Sequence, residues 1–393
     1  ETYDRMISSF NYGGLTKDGK RSLILAESFG DNKYRIFDGV HRAAILKHRG
    51  IKTVTIAERL KNVKECRSKE FDTSIELAEV NPERSREINL CGLIFSKDRA
   101  MQLQATIESF RLHCSDNSMA ALTVLYKVSS EVHRRQYDVL KKKFADISFV
   151  EENDFREQVL SVIEKSEHVL FLVDDNIFVK PFALQDIITA LNEHADAVGF
   201  SLRLGKNTTY CYSFNSVQRL PDFEKLNNSI LKYNWPGQQY DFGYPLEVSS
   251  SVYRVDDILG LLKILNHQNP NTLEAELAKN RNIFSSDKKN LLCFHYSVAF
   301  CNPVNIVQGS FPGNRKGDKQ EYSADSLAGM FDAGCRVDVN KLIGFVPESC
   351  HQEVELGFIG TGTKREKACP LVSIYMAAYN SDKYIVQAID SIL

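Results

Sequence analysis

The stretch HVLFLVDDNIFVKPF, residues 168–182, decides the fold prediction for this chain. It begins with an apolar run that has the length and composition of a buried β-strand. The run ends at Asp174, Asp175 and Asn176, after which the sequence becomes apolar again. Neighbouring carboxylates raise each other's pKa unless a cation neutralises them. We therefore predict a divalent cation, Mg²⁺ or Mn²⁺, at the end of this strand, because both ions prefer oxygen ligands.

The region around this stretch alternates between apolar strands and amphipathic helices. INLCGLIFS, ALTVLYKVS and ISFVEE read as strands, and helix-like segments separate them. Continuous apolar strands joined by helices are typical of a mostly parallel sheet that is covered on both faces. Ligands of such sheets gather at the carboxyl ends of the strands. The sequence thus predicts an α/β domain over residues 86–310, with Asp174 to Asn176 at its ligand-binding edge.

Composition narrows the class of protein. A chain of 393 residues is long enough for two or three domains. Lys and Arg number 49 against 51 Asp and Glu, which gives no basic footprint for nucleic acid. The nine cysteines form no CxxC pair, so we expect free thiols in the cytoplasm. No apolar run approaches the roughly 20 residues of a membrane-spanning helix, which leaves peripheral attachment to the inner face of the cell membrane open.

The apolar strand followed by Asp174-Asp175-Asn176 resembles the DxD metal motif of nucleotide-sugar glycosyltransferases with the GT-A fold, a Rossmann-like architecture. The resemblance spans roughly residues 87–310. It implies a nucleotide-sugar donor, most simply a UDP-sugar, with Asp174 and Asp175 at the donor and Asp175 and Asn176 at the metal. Asn176 departs from the motif, since an amide brings an oxygen but no charge. His295 is a further candidate metal ligand, and a hydrogen-bonded core histidine is the alternative.

The start of the same domain supplies candidate contacts to the donor. LIFSKDRAMQLQATIESF occupies the place where the family contacts the nucleotide. The candidates are the polar residues of its turn and first helical turn: Ser96, Lys97, Asp98, Arg99 and Gln102. Arg99 can pair with a diphosphate through charge-assisted hydrogen bonds. The alternative is a helix-capping turn with exposed basic residues.

Inverting transfer needs a carboxylate that deprotonates the acceptor hydroxyl. Glu274 is the first candidate, because Pro270 and the preceding polar residues predict a helix start at the position where the family places its base. Asp241 and Glu276 rank behind it. The alternative is that Glu274 has no catalytic role, since a glutamate in the first turn of a helix also stabilises the helix by interacting with its dipole. The aromatic side chains of Trp235, Tyr240 and Tyr244 suit either sugar stacking or packing of their own loop.

The C-terminal stretch PLVSIYMAAYNSDKYIVQAIDSIL closely resembles the opening of family 2 glycosyltransferases. We interpret residues 368–393 as the truncated beginning of a second GT-A domain and the chain as a fragment of a longer protein. Residues 311–367 are predicted to form a helical connector between the two domains.

The N-terminal residues 1–85 contain DGVHRAAIL, which resembles the turn of the ParB/sulfiredoxin-like fold, a small α+β module. The resemblance implies a phosphate site at Asp38, Gly39, His41 and Arg42, since helix N-terminal amides and basic side chains bind anions. Val40 stands where kinase-like members carry a second histidine. A docking module without catalysis is the alternative.

Together these patterns predict a metal-dependent glycosyltransferase of bacterial surface polysaccharide synthesis, which acts on a glycan or lipid-linked acceptor. One alternative is a phosphotransferase seated on the N-terminal module, with the middle domain presenting a glycan. The other is a non-catalytic scaffold that binds a glycan or a nucleotide.

Overall fold

The computed structural model of the chain describes residues 24–30, 33–38, 53–58, 67–72, 88–227, 229–307 and 315–360. The first four ranges are the strands β1 (Ile24–Gly30), β2 (Lys33–Asp38), β3 (Thr53–Glu58) and β4 (Arg67–Asp72). They form a sheet of order β2-β1-β3-β4, in which β1 and β3 are parallel.

The two N-terminal strands predicted at 34–37 and 53–57 are present. The predicted helix between them, with Gly39, His41 and Arg42, lies outside the described residues, and so does the segment 368–393. Asp38 is the last residue of β2. The ParB/sulfiredoxin-like module and the second GT-A domain therefore stay predictions.

The remaining ranges contain seven helices and fifteen further strands. The helices are α1 (Ala100–His113), α2 (Glu131–Lys143), α3 (Phe155–Ile163), α4 (Leu184–Glu193), α5 (Val255–Ile264), α6 (Pro270–Asn280) and α7 (Ala324–Asp332). The strands are β5 (Ile88–Lys97), β6 (Ala120–Lys127), β7 (Ser148–Glu151), β8 (Ser166–Val173), β9 (Asn176–Phe178), β10 (Ala197–Ser201), β11 (Tyr210–Cys211), β12 (Ser216–Val217), β13 (Glu224–Lys225), β14 (Ile230–Asn234), β15 (Ser250–Arg254), β16 (Asn290–Phe294), β17 (Ala299–Cys301), β18 (Arg336–Val337) and β19 (Phe358–Ile359). The predicted alternation of strands and helices is confirmed through β8.

Nine of these strands form one sheet of order β13-β14-β16-β10-β15-β8-β5-β6-β7. Strands β8, β5, β6 and β7 are parallel neighbours, and β10 is parallel to β16. β15 runs against both of its neighbours, as does β14. All other strands of the sheet point the same way. The predicted α/β class with a mostly parallel sheet is confirmed.

Side chains alternate between two cores on the two faces of this sheet. Leu170 and Leu172 of β8 belong to one apolar cluster, which helices α1, α2, α4 and α7 cover. Val169 and Phe171 belong to the other, which helices α3, α5 and α6 cover. Successive residues of a strand point to opposite faces, so an unbroken apolar run is what a strand buried on both sides requires.

The segment predicted as a helical connector packs into the first of these cores. Leu327 and Phe331 of α7 are buried there, together with Val337 and Leu356 further along the chain. β18 and β19 pair with each other. Residues 315–360 are thus packed against the α/β domain over most of their length.

Two findings bear on the setting of the chain. Within the described ranges, no helix combines the length and the apolar character needed to cross a membrane. Seven cysteines fall in these ranges, and all are free and buried, as the sequence predicted for thiols in apolar strands: Cys91, Cys114, Cys211, Cys293, Cys301, Cys335 and Cys350.

Candidate active site

The aspartate pair lies at the carboxyl ends of two central strands. Strand β8 ends at Val173, which pairs in register with Phe95 of the parallel strand β5. The backbone N–H of Asp174 donates to the carbonyl of Phe95 at 3.1 Å. The turn after β8 therefore meets the turn between β5 and α1, which is where the sequence placed the donor contacts.

Asp174 is fixed by the residues of that second turn. The Ser96 hydroxyl and the Lys97 backbone N–H donate to one carboxylate oxygen at 2.9 and 3.1 Å. Arg99 donates from Nη2 to the other oxygen. Tyr137 of α2, which is fully buried, also bonds to the Ser96 hydroxyl. With 1% of Asp174 exposed, the carboxylate is held rigidly and is saturated with donors.

Asp175 is bound more loosely. Among the described residues, the hydrogen bond to its carboxylate comes from Arg99 Nη1, at 3.3 Å. The side chain keeps 15% of its surface exposed. Burial raises the pKa of Asp175, Arg99 opposes this rise, and Asp174 adds to it. The Asp175 carboxylate is therefore only partly neutralised by Arg99 and keeps part of its surface exposed.

Asn176 uses its amide to hold the turn. The side-chain oxygen accepts from the Val173 N–H at 2.8 Å, and Nδ2 donates to Cys301 Sγ at 3.2 Å. Its backbone carbonyl accepts from Thr106 of α1 at 2.8 Å. The residue is fully buried. These bonds tie the end of β8 to β17 and α1.

The turn before α1 has a conformation that aims Arg99 at the aspartates. Asp98 has a positive φ of 54°, in the left-handed region that Asp tolerates better than most residues. Its carboxylate accepts from the Ser129 N–H at 2.7 Å, which stabilises the turn. Gln102 follows in the first turn of α1, is buried, and has no hydrogen-bond partner for Nε2 within the described ranges. Nε2 of Gln102 is thus a buried donor without a partner among the described residues, close in sequence to the Arg99 turn.

A second buried charged group lies at the same end of the sheet. Arg203 follows β10 by two residues and Glu247 precedes β15, and these two strands are neighbours. Nη2 of Arg203 lies 3.4 Å from the Glu247 carboxylate. Glu247 also accepts from the backbone N–H groups of Ser249 at 2.6 Å and Ser250 at 3.0 Å. Its oxygens are therefore occupied, and it acts as the counter-ion of Arg203.

Two of the predicted catalytic carboxylates face this arginine. Glu274 of α6 accepts from the Val248 N–H at 3.1 Å, and Asp241 accepts from Gln218 Nε2 at 3.1 Å. Burial raises the pKa of both Glu274 and Asp241, and Arg203 opposes this rise. A single guanidinium thus faces three carboxylates, so the group carries excess negative charge and favours uptake of a proton.

The segment around β17 connects the two groups. Cys301 pairs with Asn176 in the β9–β17 ladder and donates its N–H to the Cys350 carbonyl at 2.9 Å. Cys350 in turn lies with Sγ 3.6 Å from the Arg203 carbonyl. Asn302, which follows Cys301 in the chain, donates its N–H to the carbonyl of Asp175 at 2.9 Å. Both groups are therefore parts of one edge.

Other predicted residues lie in different surroundings. Glu276 pairs with Lys279 at 2.5 Å on α6. His295 follows β16, and its ring lies tilted at 42° to the ring of Tyr296. Burial, Lys206 and Lys225 lower the pKa of His295. Trp235 is buried with Nε1 bonded to the Lys288 carbonyl at 2.8 Å, so it ties its loop to the segment before β16. The described structure shows no contact of these three with the aspartate pair.

Three residues of the site were not predicted from the sequence. Arg203 and Glu247 are as buried as core residues, and Tyr137 fixes Ser96 from a neighbouring helix. The one available signal was a charged residue inside an apolar run, as for Arg203 in GFSLRLG. Buried charges are rare unless paired, which makes such a residue informative.

The chemistry of the site fits a divalent cation that completes its shell with a ligand. The described residues contain no group of three or more His, Cys, Asp or Glu that could hold a metal ion by themselves. Mg²⁺ and its relatives are commonly held by one or two carboxylates together with substrate phosphates. Asp175 supplies one such carboxylate at the open side of the turn.

Comparison with known proteins finds similarity to glycosyltransferases. The bifunctional glycosyltransferase pgtA of Dictyostelium discoideum is 28% identical over 249 residues, a match that covers 55% of this chain and 32% of pgtA. The chain thus spans about a third of that relative. No family model matches the sequence.

Solved structures of glycosyltransferases are also similar to this chain. The structure of GalNAc-T7 with UDP, GalNAc and Mn²⁺ gives a TM-score of 0.37 at 10% identity, covering 57% of this chain and 47% of GalNAc-T7. The UDP complex of Staphylococcus aureus TarS, residues 1–349, gives a TM-score of 0.33 at 11% identity. This match covers 52% of this chain and 57% of the TarS chain.

Proposed function

We propose that this chain transfers a sugar from a nucleotide-sugar, most simply a UDP-sugar, to a hydroxyl group of a glycan or lipid-linked acceptor. The observation that carries the proposal is the meeting of two separate sequence motifs. Ser96, Lys97 and Arg99 all bond to Asp174 beside Asp175, although 75 or more residues separate the two turns. The similarity to pgtA supports the same reaction class.

The donor diphosphate binds, in this proposal, between the β5–α1 turn and Asp175. Arg99 and Lys97 supply positive charge, and the buried Gln102 amide supplies a free donor. Asp175 holds Mg²⁺ or Mn²⁺, and His295 is a secondary candidate ligand. The Asn176 amide, predicted as a ligand from the sequence, is instead bonded to the Val173 N–H and to Cys301 Sγ. When bound, the cation neutralises the charge that develops on the diphosphate leaving group.

Glu274 is the proposed general base, and Asp241 is the second candidate. The Glu274 carboxylate takes the proton of the acceptor hydroxyl while the hydroxyl oxygen bonds to the anomeric carbon of the sugar. At the same time, the bond between the anomeric carbon and the diphosphate oxygen breaks. Before the proton transfer, Arg203 reduces the repulsion between the carboxylates of Glu247 and Glu274. The raised pKa of Glu274 makes it a stronger base than an exposed glutamate, which suits this role.

The proposed cellular location and biological role are those predicted from the sequence. We propose a cytoplasmic enzyme, with or without attachment to the inner face of the membrane, in the assembly of a surface polysaccharide. The N-terminal module would then dock the enzyme or bind a phosphate group through Asp38 to Arg42.

The test starts with a screen of nucleotide-sugars by thermal shift in the presence of Mn²⁺, because a ligand that binds only the folded state raises its melting temperature. The best donor is then used in assays of transfer and of nucleoside diphosphate release, with and without EDTA. We expect EDTA and Asp175→Ala to abolish release, and the exposed Asp186→Ala on α4 to leave it unchanged. Full transfer by Asp175→Ala would refute the site. Binding of a nucleotide without any turnover would instead favour a scaffold.

A further inference from the structure

The aspartate pair already has a cation in contact with both of its members. Arg99 donates from Nη2 to Asp174 and from Nη1 to Asp175 at 3.3 Å, and Nη1 also lies 3.3 Å from the Asn305 carbonyl. Only 12% of the Arg99 side chain is exposed. The side chain therefore occupies the space between the two carboxylates and one wall of the site.

Arg99 is held much more firmly by Asp174 than by Asp175. Asp174 is nearly inaccessible and is positioned by Ser96 and the Lys97 backbone, whereas Asp175 is bonded at 3.3 Å and partly exposed. Arg99 Nε has no hydrogen-bond partner among the residues described. The guanidinium thus retains a donor for an incoming ligand and has one weak bond to give up.

This arrangement has a direct consequence for a divalent cation. An ion on the Asp175 carboxylate would lie within a few ångströms of the guanidinium, and like charges at such a distance repel strongly when little water separates them. A diphosphate removes the conflict, since it is an anion that an arginine binds in a bidentate manner and a divalent cation binds as well. Metal and nucleotide should then bind together more readily than either binds alone.

We propose that Arg99 is a resident counter-ion that keeps divalent cations off Asp175 until a nucleoside diphosphate supplies the negative charge for both. This inference rests on the metal-binding role proposed for Asp175. It assigns Arg99 a second task beside contact with the donor: it makes metal binding conditional on the donor. Because coupling between two ligands is reciprocal, Mn²⁺ and UDP should strengthen each other's binding by the same factor.

The experiment measures free Mn²⁺ by electron paramagnetic resonance in titrations of the whole chain, with and without UDP. We expect Arg99→Met to bind Mn²⁺ alone about tenfold more tightly than the wild type, in line with the effect of removing one nearby charge. Arg111→Met, on the helix that directly follows Arg99 but paired with Asp146 at the surface, is the matched control and should bind like the wild type. Adding Asp175→Ala to Arg99→Met should abolish the gain.

The wild type supplies a second arm that needs no variant. UDP should tighten its Mn²⁺ binding about tenfold or more, and this gain should largely vanish in Arg99→Met. Arg99→Lys keeps the charge without the planar fork, so it should remain closer to the wild type in metal binding alone.

Several results would overturn the inference. The inference is refuted if Arg99→Met binds Mn²⁺ with the affinity of the wild type. It is also refuted if UDP does not change the Mn²⁺ affinity of the wild type. If Arg99→Met does not fold, the wild-type titration and Arg99→Lys decide. The outcome is separate from that of the proposed function. A chain that transfers sugar without this metal behaviour refutes the inference alone, and a chain that shows the metal behaviour without transfer refutes the function alone.

Discussion

Nη2 of Arg203 lies 3.4 Å from the carboxylate of Glu247, and the two side chains are only 5% and 3% exposed. A buried pair of this kind is compensated only if its remaining polar atoms are bonded, and Glu247 meets this condition through Ser249 and Ser250. The pair by itself is neutral. Within the described ranges, Asp241 and Glu274 therefore have no counter-ion of their own. Burial raises the pKa of each, and Arg203, already paired with Glu247, opposes this rise only in part.

Glu274→Gln should lower the transfer rate by about 10²- to 10⁴-fold, the usual contribution of a general base. It should also raise stability at pH 7. The folded protein keeps the Glu274 proton above the ordinary pKa of 4.5, so the wild type loses stability as pH rises from 4.5 through the raised value. The gap between variant and wild type should thus close toward pH 4.5. Melting curves across pH measure it, with Glu276→Gln as the control on the same helix.

Arg203→Met should destabilise the fold by about 3–5 kcal/mol at pH 7, because it leaves the buried Glu247 carboxylate without its counter-ion. Without Arg203 the pKa values of Glu274 and Asp241 should rise further, so the loss should grow as pH increases. Urea unfolding at several pH values tests this. The surface-exposed Arg134→Met, which breaks the pair with Glu151, should change little. A loss independent of pH would contradict the electrostatic explanation.

Replacing Asp174 and replacing Asp175 should have different effects on stability and on Mn²⁺ binding. Asp174→Ala removes one partner of a buried ion pair and should cost about 3–5 kcal/mol of stability. Asp175→Ala should cost clearly less, because its bond to Arg99 is long and its side chain is partly exposed. In return, Asp175→Ala should lose UDP-supported Mn²⁺ binding while remaining folded. Denaturant titration and Mn²⁺ resonance distinguish the two; equal loss of stability in both would count against this division.

Asn176→Asp restores the acidic third position of the DxD motif, yet we expect no gain in Mn²⁺ affinity. The new carboxylate would replace an amide that donates to Cys301 Sγ and would place a charge in a fully buried position. Leaving a buried group of this kind unsatisfied costs about 1–3 kcal/mol, and more for a charge. Exposed Asn282→Asp serves as the control. Tighter Mn²⁺ binding with unchanged stability would instead show that position 176 faces the ion.

Local sequence patterns were sufficient for the fold class. The apolar run of β8 alternates between two cores, and helices at the predicted positions cover both. Burial on both faces leaves a signature of several consecutive apolar residues, so a parallel sheet can be read without knowing its strand order. The antiparallel insertion of β15 between β8 and β10 was not predicted. Its position depends on which edges pair, and this is a long-range choice.

The sequence by itself determined that carboxylates end a buried strand and that a Ser-Lys-Asp-Arg turn ends another. Both features are local, because neighbouring residues of the sequence determine the length of a strand and the type of the turn that follows it. Only the tertiary structure decided what these carboxylates do. It set Arg99 between Asp174 and Asp175, turned the Asn176 amide toward Cys301, and gathered Arg203 with Glu247. Charge pairing in a protein interior depends on distances of a few ångströms between segments far apart in the chain, and no spacing in the sequence encodes these distances.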